Sequence, residues 1–294
     1  MTAIAEARAQ PAAPIPSREG GGRRIVAYGL LSAWALLMFV PFGWTVLTSL
    51  KDRPEAMQMS FPASPDLGAY VEAWSSIDPG LPQMFANSIG LAVAVTASNL
   101  FLGSLAGYAF ARLRFPGRDV LFLVVLATLM IPDQLRVVPV YQIMNFFGFT
   151  GRDPSNYLSV FLVLAISATS IFLLRQYFLT IPADLEEAAR IDGAGYFQTF
   201  WRVMLPLASP ALAAVAILQF QGTWNGLFWP ALFFGPVRDH WTLPFGIVQY
   251  QGAFQTNWPP LMAIVVVATL PILILYIFFQ RYFVEGIAAA GVKG

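Results

Sequence analysis

The sequence predicts an all-α, polytopic membrane protein with six transmembrane helices, and three observations lead there. The 294 residues are 57% hydrophobic and only 11% charged, with a mean hydropathy of +0.63, whereas soluble domains are nearer half apolar. Apolar runs recur at the length of about 20 residues that carries a helix across a bilayer. The 17 Lys and Arg residues divide unevenly between the segments joining those runs, as the positive-inside rule expects of a chain that crosses repeatedly.

Residues 1–24, rich in Ala, Pro, Gly and Arg, cannot bury a core and read as a disordered cytoplasmic tail. The run over 25–50 follows Arg23-Arg24 as the core of a signal peptide would. It is too long for one and lacks a small-residue cleavage site, so it reads as a retained first span. Residues 51–84 form an extracytoplasmic loop. A core over 85–284 holds spans at 85–110, 119–143, 156–179, 205–232 and 259–282, with a charged loop at 180–204, and 285–294 is a short cytoplasmic tail. The span at 119–143 is the weakest, because Pro132-Asp133-Gln134 interrupts it. Irregular backbone at membrane depth survives only where protein or water satisfies it, so this segment lines a cavity or marks the bilayer edge. With the N-terminus inside, twelve of the 17 basic residues face the cytoplasm; Lys51, Arg53, Arg136, Arg152 and Arg238 face out. Both termini are then cytoplasmic.

Several functions are disfavoured. There is no cysteine, and the single His240 builds no metal cluster and is expected to be solvated. No Gly-x4-Gly-Lys-Ser/Thr loop is present, so any ATP binds elsewhere. An ion-coupled carrier keeps ionisable groups at the midplane, and Asp133 and Arg175 are thin support for one. Neither paired carboxylates nor a His-Asp-Ser set lies within the spans, which weighs against an intramembrane enzyme. Nothing points to nucleic acid; the lipid bilayer is the evident surrounding partner.

The loop stands apart. Pro182 suits a first helical turn, and Asp184, Glu186 and Glu187 put negative charge at the positive end of the helix dipole. Leu185, Ala188 and Ala189 share one face, Gly193 and Gly195 break the helix, and Phe197, Phe200, Trp201 and Met204 form an apolar stripe. An amphipathic hairpin lying on the inner leaflet fits this periodicity, but anionic headgroups repel the acids. A helix pair seated in a groove of a cytoplasmic partner fits better.

Glu187-Ala188-Ala189, then Gly193, then Val203-x-Leu205-Pro206 match the EAA-x3-G-x9-I-x-L-P signature of ABC-importer permeases, with Val203 in the Ile place. Thr48-Ser49-Leu50-Lys51, Asn87-Ser88, GYAFARLRFPGR at 107–118, Met130-Ile131-Pro132, Thr223-Trp224-Asn225, Thr242-Leu243-Pro244 and the closing Gly291-Val292-Lys293-Gly294 extend the likeness over 25–294. The chain resembles the carbohydrate-uptake branch, in particular the maltose-type G subunit. Gly226 departs from it, standing where relatives often carry an acid.

The resemblance implies the type I importer (MetI-like) permease fold and no catalysis by this chain. It also implies a location in the bacterial inner membrane. The implied partners are a second permease, two ATPase subunits carrying ATP and Mg²⁺, and an extracytoplasmic solute-binding protein. The cargo would be a disaccharide or oligosaccharide, with a polyol or glycerol phosphate as the alternative. Glu186, Glu187, Ala188, Ala189, Arg190, Asp192, Gly193, Leu205 and Pro206 would form the coupling helix that docks on the ATPase. The segment 233–258, with Trp241, Tyr250 and Trp258, would meet the binding protein; by composition alone it is equally an interfacial aromatic belt. The tail GIAAAGVKG would reach between the ATPases, although its composition suggests fraying.

Two further features invite a role. Gly103-x-x-x-Gly107 fits close packing within the chain. On the fifth span Gln221, Asn225 and Phe228 fall at i, i+4, i+7 beside Trp224. Amides next to aromatics suit a sugar passage, and they equally suit hydrogen bonds between helices.

Overall fold

The computed structural model describes residues 21–75, 78–151, 156–253 and 257–291, all helix and connecting turns. Within them, four helices are long and apolar enough to cross a bilayer: Ile25–Ser49, Leu81–Arg112, Asn156–Thr180 and Trp258–Phe279. Two bent pairs, Arg118–Thr128 with Asp133–Phe146 and Tyr196–Leu207 with Ser209–Trp224, raise the number to six if each is one span.

Helix α1 (Gly21–Ser49) begins before the expected first span, so residues 21–24 belong to it; the rest of the expected tail, 1–20, lies outside the described residues. Leu30, Trp34 and Phe39 of α1 are each more than 60% exposed, as suits a helix whose solvent is lipid. It leans chiefly on the last helix, and Ser49 at its end shares a 2.8 Å hydrogen bond with Tyr70 of the next one. After the short α2 (Gly68–Ser75) comes the central α3 (Leu81–Arg112). Next are α4 (Arg118–Thr128) and α5 (Asp133–Phe146), then α6 (Asn156–Leu164) and α7 (Ala168–Thr180). The charged hairpin is α8 (Asp184–Ile191) and α9 (Tyr196–Thr199). A π turn (Phe200–Met204) and α10 (Leu205–Leu207) lead into α11 (Ser209–Trp224). The chain closes with α12 (Phe228–Phe234), α13 (Leu243–Ala253) and α14 (Trp258–Gly291). The expected tail at 285–294 is therefore helical to Gly291, where three consecutive alanines favour the helix; residues 292–294 lie outside the described residues.

Packing centres on α3, which holds α7 on one side and α11 on another. The contact with α7 is made close by glycine. A Cβ on Gly107 would stand 3.0 Å from the backbone nitrogen of Arg175 and from Leu174 Cβ, and one on Gly103 would stand 3.1 Å from Ser170 Cβ. The glycine pair thus packs within the chain, as expected.

Three spans are interrupted. The break before Pro132 was legible in sequence and bends α4 against α5 by 105°. The expected span 205–232 begins later, at Ser209, and ends at Trp224 before α12 resumes the helix. The break between α6 and α7 was not foreseen. Its backbone is satisfied by Asn99, which is fully buried. The Asn99 amide nitrogen donates to the carbonyls of Val95 and Leu164 at 3.0 and 2.8 Å. Its amide oxygen accepts from Ser167 N at 2.8 Å and from the Ser170 hydroxyl at 3.0 Å. Ser98 adds a bond to the Ala165 carbonyl at 2.7 Å. One side chain thus satisfies both lips of the gap.

The N-terminal end of α3 is tied down similarly. Asn87 donates to the carbonyls of Asp239 and Trp241 at 2.6 and 3.0 Å and accepts from Tyr157 OH at 2.8 Å. His240, expected to be solvated, is half-buried: it shares a 2.6 Å hydrogen bond with Asn156 and its ring lies 4.3 Å from that of Tyr157. Buried Asn156 supplies a partner that the loop sequence did not disclose.

Replacing Asn99 with Leu leaves the Ser167 N–H and the Leu164 carbonyl unpaired, at a cost of about 2–6 kcal/mol for the two groups. Gly107→Val wedges α3 from α7 and costs about 1–3 kcal/mol. The fraction of monodisperse chain surviving a heat step in mild detergent should fall for both variants, and by more for Asn99→Leu.

Candidate functional site

The charged loop is a rigid hairpin. Its first helix ends in a Schellman turn: Ala194 N donates to the Ala189 carbonyl at 2.9 Å, and Gly193 N to the Arg190 carbonyl at 3.0 Å. Gly193 sits at φ +83°, a conformation glycine takes without a Cβ penalty. Gly195 is extended and serves as the N-cap of α9, so only one of the two glycines makes the turn. Pro182 lies two residues ahead of the first helical residue, Asp184. Across the turn the Arg190 guanidinium lies 4.6 Å from the Tyr196 ring, a cation–π contact that ties the two helices together.

The adjacent acids divide. Glu187 and Ala188 are exposed, Ala189 is half-buried, and Arg190 and Asp192 are exposed around them. Glu186 is 7% exposed and turned inward, where its Oε1 lies 3.6 Å from Arg112 Nε. Glu186, expected among the docking residues, is therefore an anchor of the hairpin rather than part of its outer face. Arg112 also donates from Nη2 to the carbonyls of Phe178, at 2.6 Å, and Ile181. One guanidinium thus joins the C-terminal ends of α3 and α7 to the first turn of α8. At 3.6 Å the Glu186–Arg112 contact is charge alone, without a hydrogen bond. Burial pushes the Glu186 carboxyl above the ordinary glutamate range, while Arg112 and Arg190 pull it back. The folded chain binds this proton more readily than the unfolded one. The stability linked to it is full below the usual glutamate pKa and falls as pH rises through the raised value.

The apolar stripe also splits. Phe200 and Met204 are buried with Tyr108, Phe178 and Ala208, whereas Phe197 and Trp201 are 63% and 43% exposed. The π turn is responsible: Pro206 has no N–H for the Arg202 carbonyl, and Leu205 N bonds back to Phe200. Leu205 and Pro206 form the joint between hairpin and α11, away from the outer face of α8. Glu187, Ala188, Leu185, Ile191 and Phe197 belong to the exposed surface, with Arg190 and Asp192 among them.

The four residues expected along a passage do not converge. The helical face carrying Gln221, Asn225 and Phe228 is interrupted, because α11 stops at Trp224. Gln221 borders an apolar cavity of about 570 Å³ between α1, α11 and α14, and Asn225 borders another beside α13. Trp224 is buried, stacks on Phe220 and donates to the Ala268 carbonyl at 3.0 Å. Phe228 packs edge-on against Trp229. A third cavity, of about 290 Å³, is lined by Asp133, Arg136, Ser167, Gln219 and Trp229. Gln219 and Trp229 lie outside the i, i+4, i+7 face expected on the fifth span.

Glu186→Lys sets two cations against each other in a buried site and costs about 3–5 kcal/mol. Glu187→Lys changes an exposed group and leaves the fold intact. Comparing the yield of monodisperse chain from the two variants separates anchor from surface; equal losses would contradict the division.

The family model described as "Binding-protein-dependent transport system inner membrane component" matches residues 99–288. The arabinooligosaccharides transport system permease protein AraQ of Halalkalibacterium halodurans is 39% identical over 210 residues, 71% of this chain and 74% of its own. The trehalose/maltose transport system permease protein MalG of Thermococcus litoralis is 32% identical over 267 residues, 88% of this chain and 93% of its own. A crystal structure of a bacterial ABC transporter involved in the import of the acidic polysaccharide alginate contains a chain that superposes with a TM-score of 0.76 at 27% identity, covering 92% of this chain and all of that one. With the interrupted spans and the EAA hairpin now placed, this chain belongs to the inner membrane components of binding-protein-dependent transport systems and is a membrane-spanning permease subunit.

Proposed function

We propose that this chain is one of two permeases in a bacterial inner-membrane ABC importer that carries an oligosaccharide or disaccharide by alternating access. The observation that supports this most is the outer face of α8. Exposed Glu187 and Ala188 are presented by a helix fixed to the inner ends of α3 and α7 through Arg112. An ATPase seated there moves the spans when it moves the hairpin. ATP and Mg²⁺ bind on two such partner subunits, since this sequence has no phosphate-binding loop of its own. Both termini are cytoplasmic, which puts the hairpin on the side where ATP is.

A second permease supplies the other half of the pathway, and an extracytoplasmic binding protein delivers the sugar to the opposite face. The names of the relatives, arabinooligosaccharides and trehalose/maltose among them, support a sugar as cargo. An ion-coupled carrier is less well supported. Asp133 is ion-paired with Arg136, and Arg175 lies 4.1 Å from the Phe122 ring and donates to the Phe110 carbonyl. Neither is a lone charge awaiting an ion.

Affinity purification of the tagged chain from its native membrane in mild detergent should recover an ATPase and a second permease. Glu187→Lys should lose the ATPase while the permease pair stays together. A chain that purifies alone and folded, or a Glu187→Lys complex that keeps its ATPase and its ATP-driven uptake, contradicts the docking reading.

A further inference from the structure

We propose that the notch at the α3–α4 turn binds the phosphate of an anionic phospholipid with an uncharged headgroup, phosphatidylglycerol being the simplest. The acyl chains of this lipid lie along α4. Nothing in the site depends on what the chain transports or on what docks at α8.

Cations outnumber anions there. The notch, of about 450 Å³, is lined by Arg114, Phe115, Gly117, Arg118, Asp119 and Val120. Gly117, at φ +80°, turns the chain into α4, and a Cβ added to it would meet nothing within 4 Å. Arg114 is exposed and has no partner among the described residues. Arg118 donates from Nε to Asp119 Oδ1 at 2.9 Å, which leaves its two Nη groups unengaged. Behind them the Arg175 guanidinium lies 4.1 Å from the Phe122 ring, within electrostatic reach of Asp119. Arg112 is engaged by Glu186 and by the carbonyls of α7 and adds nothing here. Three guanidinium groups, Arg114, Arg118 and Arg175, therefore face one carboxylate.

The helix that starts from these charges decides what covers them. Val120 lines the notch and also opens an exposed apolar stripe: Val120, Leu123, Val124 and Ala127 fall at i, i+3, i+4 and i+7 of α4. Phe122 turns the other way and is buried against Phe110. The 11 residues of α4 are about 16 Å long at 1.5 Å per residue. That is close to one leaflet of a hydrocarbon core about 30 Å thick. A free phosphate would meet the cations and leave the stripe bare, and a fatty acyl chain alone would do the reverse. A phospholipid meets both at once, its phosphate at the start of the helix and its chains beside it.

Charge then chooses the headgroup. An ethanolamine ammonium would bring a further cation to a site whose one carboxylate Arg118 already holds. A glycerol headgroup brings none. Arginine suits the phosphate because it can donate two parallel hydrogen bonds to it, and basic pockets beside membrane spans hold anionic headgroups in this way.

The test uses the complex purified through the tagged chain and placed in nanodiscs of phosphatidylcholine. These contain a small, varied fraction of phosphatidylglycerol with a diazirine on one acyl chain. After illumination, the labelled positions on this chain are mapped by mass spectrometry. Label is expected on α4 between Val120 and Ala127 at lipid fractions that leave the exposed Phe39 and Phe42 of α1 unlabelled. Arg114→Gln removes an exposed, unpartnered group and leaves the fold intact. It should raise the half-labelling fraction about fivefold, and Arg114→Gln with Arg118→Gln about 25-fold. Arg114→Lys keeps the charge and should keep most of the label, which a merely disturbed turn would not. Unlabelled phosphatidylglycerol should compete, and phosphatidylethanolamine should not.

Equal labelling of α1 and α4, unmoved by the arginine variants, is annular lipid only and overturns the site. Absence of label from α4 at every lipid fraction shows its face covered by another subunit, which also overturns it. Competition by phosphatidylethanolamine as strong as by phosphatidylglycerol overturns the choice of headgroup. Loss of label to millimolar inorganic phosphate overturns the lipid and makes the notch a site for the free anion.

Discussion

In a hydrocarbon solvent every backbone N–H and C=O must find a partner within the protein, and the rest of this structure depends on how that constraint is met. A chain that only needed to cross would use unbroken helices. Three spans here are broken instead, and the repair of one of them is concentrated in Asn99, which bonds both lips of the α6–α7 gap from the neighbouring helix. The repair works because α3 and α7 approach closely, and they do so because Gly103 and Gly107 carry no side chain. The small residues and the buried amide are one device: the glycines bring the helices together, and the amide makes use of the proximity to hold an irregular backbone at depth. That irregularity in turn opens room for a polar cavity inside a bundle that would otherwise be solid.

The same helices carry the charged hairpin. Arg112 closes α3 and bonds the carbonyls at the end of α7, and its charge holds Glu186 of α8. Tyr108, one turn earlier on α3, packs against Phe178 of α7 and Phe200 of the π turn. In the proposed importer a displacement of α8 would be passed to the two helices whose contact frames the α6–α7 gap, about 20 Å away along α7 at 1.5 Å per residue. Rigid elements joined by buried charge and aromatic packing transmit such a shift, whereas a loosely tethered loop absorbs it. The buried acid and the exposed acid beside it differ in place: Glu186 fastens the hairpin to the spans, and Glu187 stays exposed on its outer face, where the proposed ATPase would meet it.

Much of this was legible in the sequence for a definite reason. Spans are set by runs of apolar residues against the thickness of a bilayer, and helix caps and turns by neighbours within five or six positions. The first, second and last spans, the Pro132 break, the Gly193 turn and the exposed EAA face are all local statements of that kind, and the EAA spacing was enough to point to the family. The tertiary structure decided questions in which two nearby residues look alike. Glu186 and Glu187 are adjacent acids about 100° apart around a helix. Which one faces inward is fixed by Arg112, 74 positions earlier, and Glu186 took the buried place. Gln219 and Gln221 are equivalent amides on one helix, and the pattern favoured Gln221. Packing turned Gln219 toward Asp133 and Trp229, and left Gln221 against the apolar side chains of α1 and α14. The sequence by itself determined which runs are long and apolar enough to cross and which family it resembles, because those depend on short-range composition and solvent. The tertiary structure alone decided which polar groups meet, because their partners lie 50 to 100 residues apart and only the packing of α3, α7 and α11 brings them together.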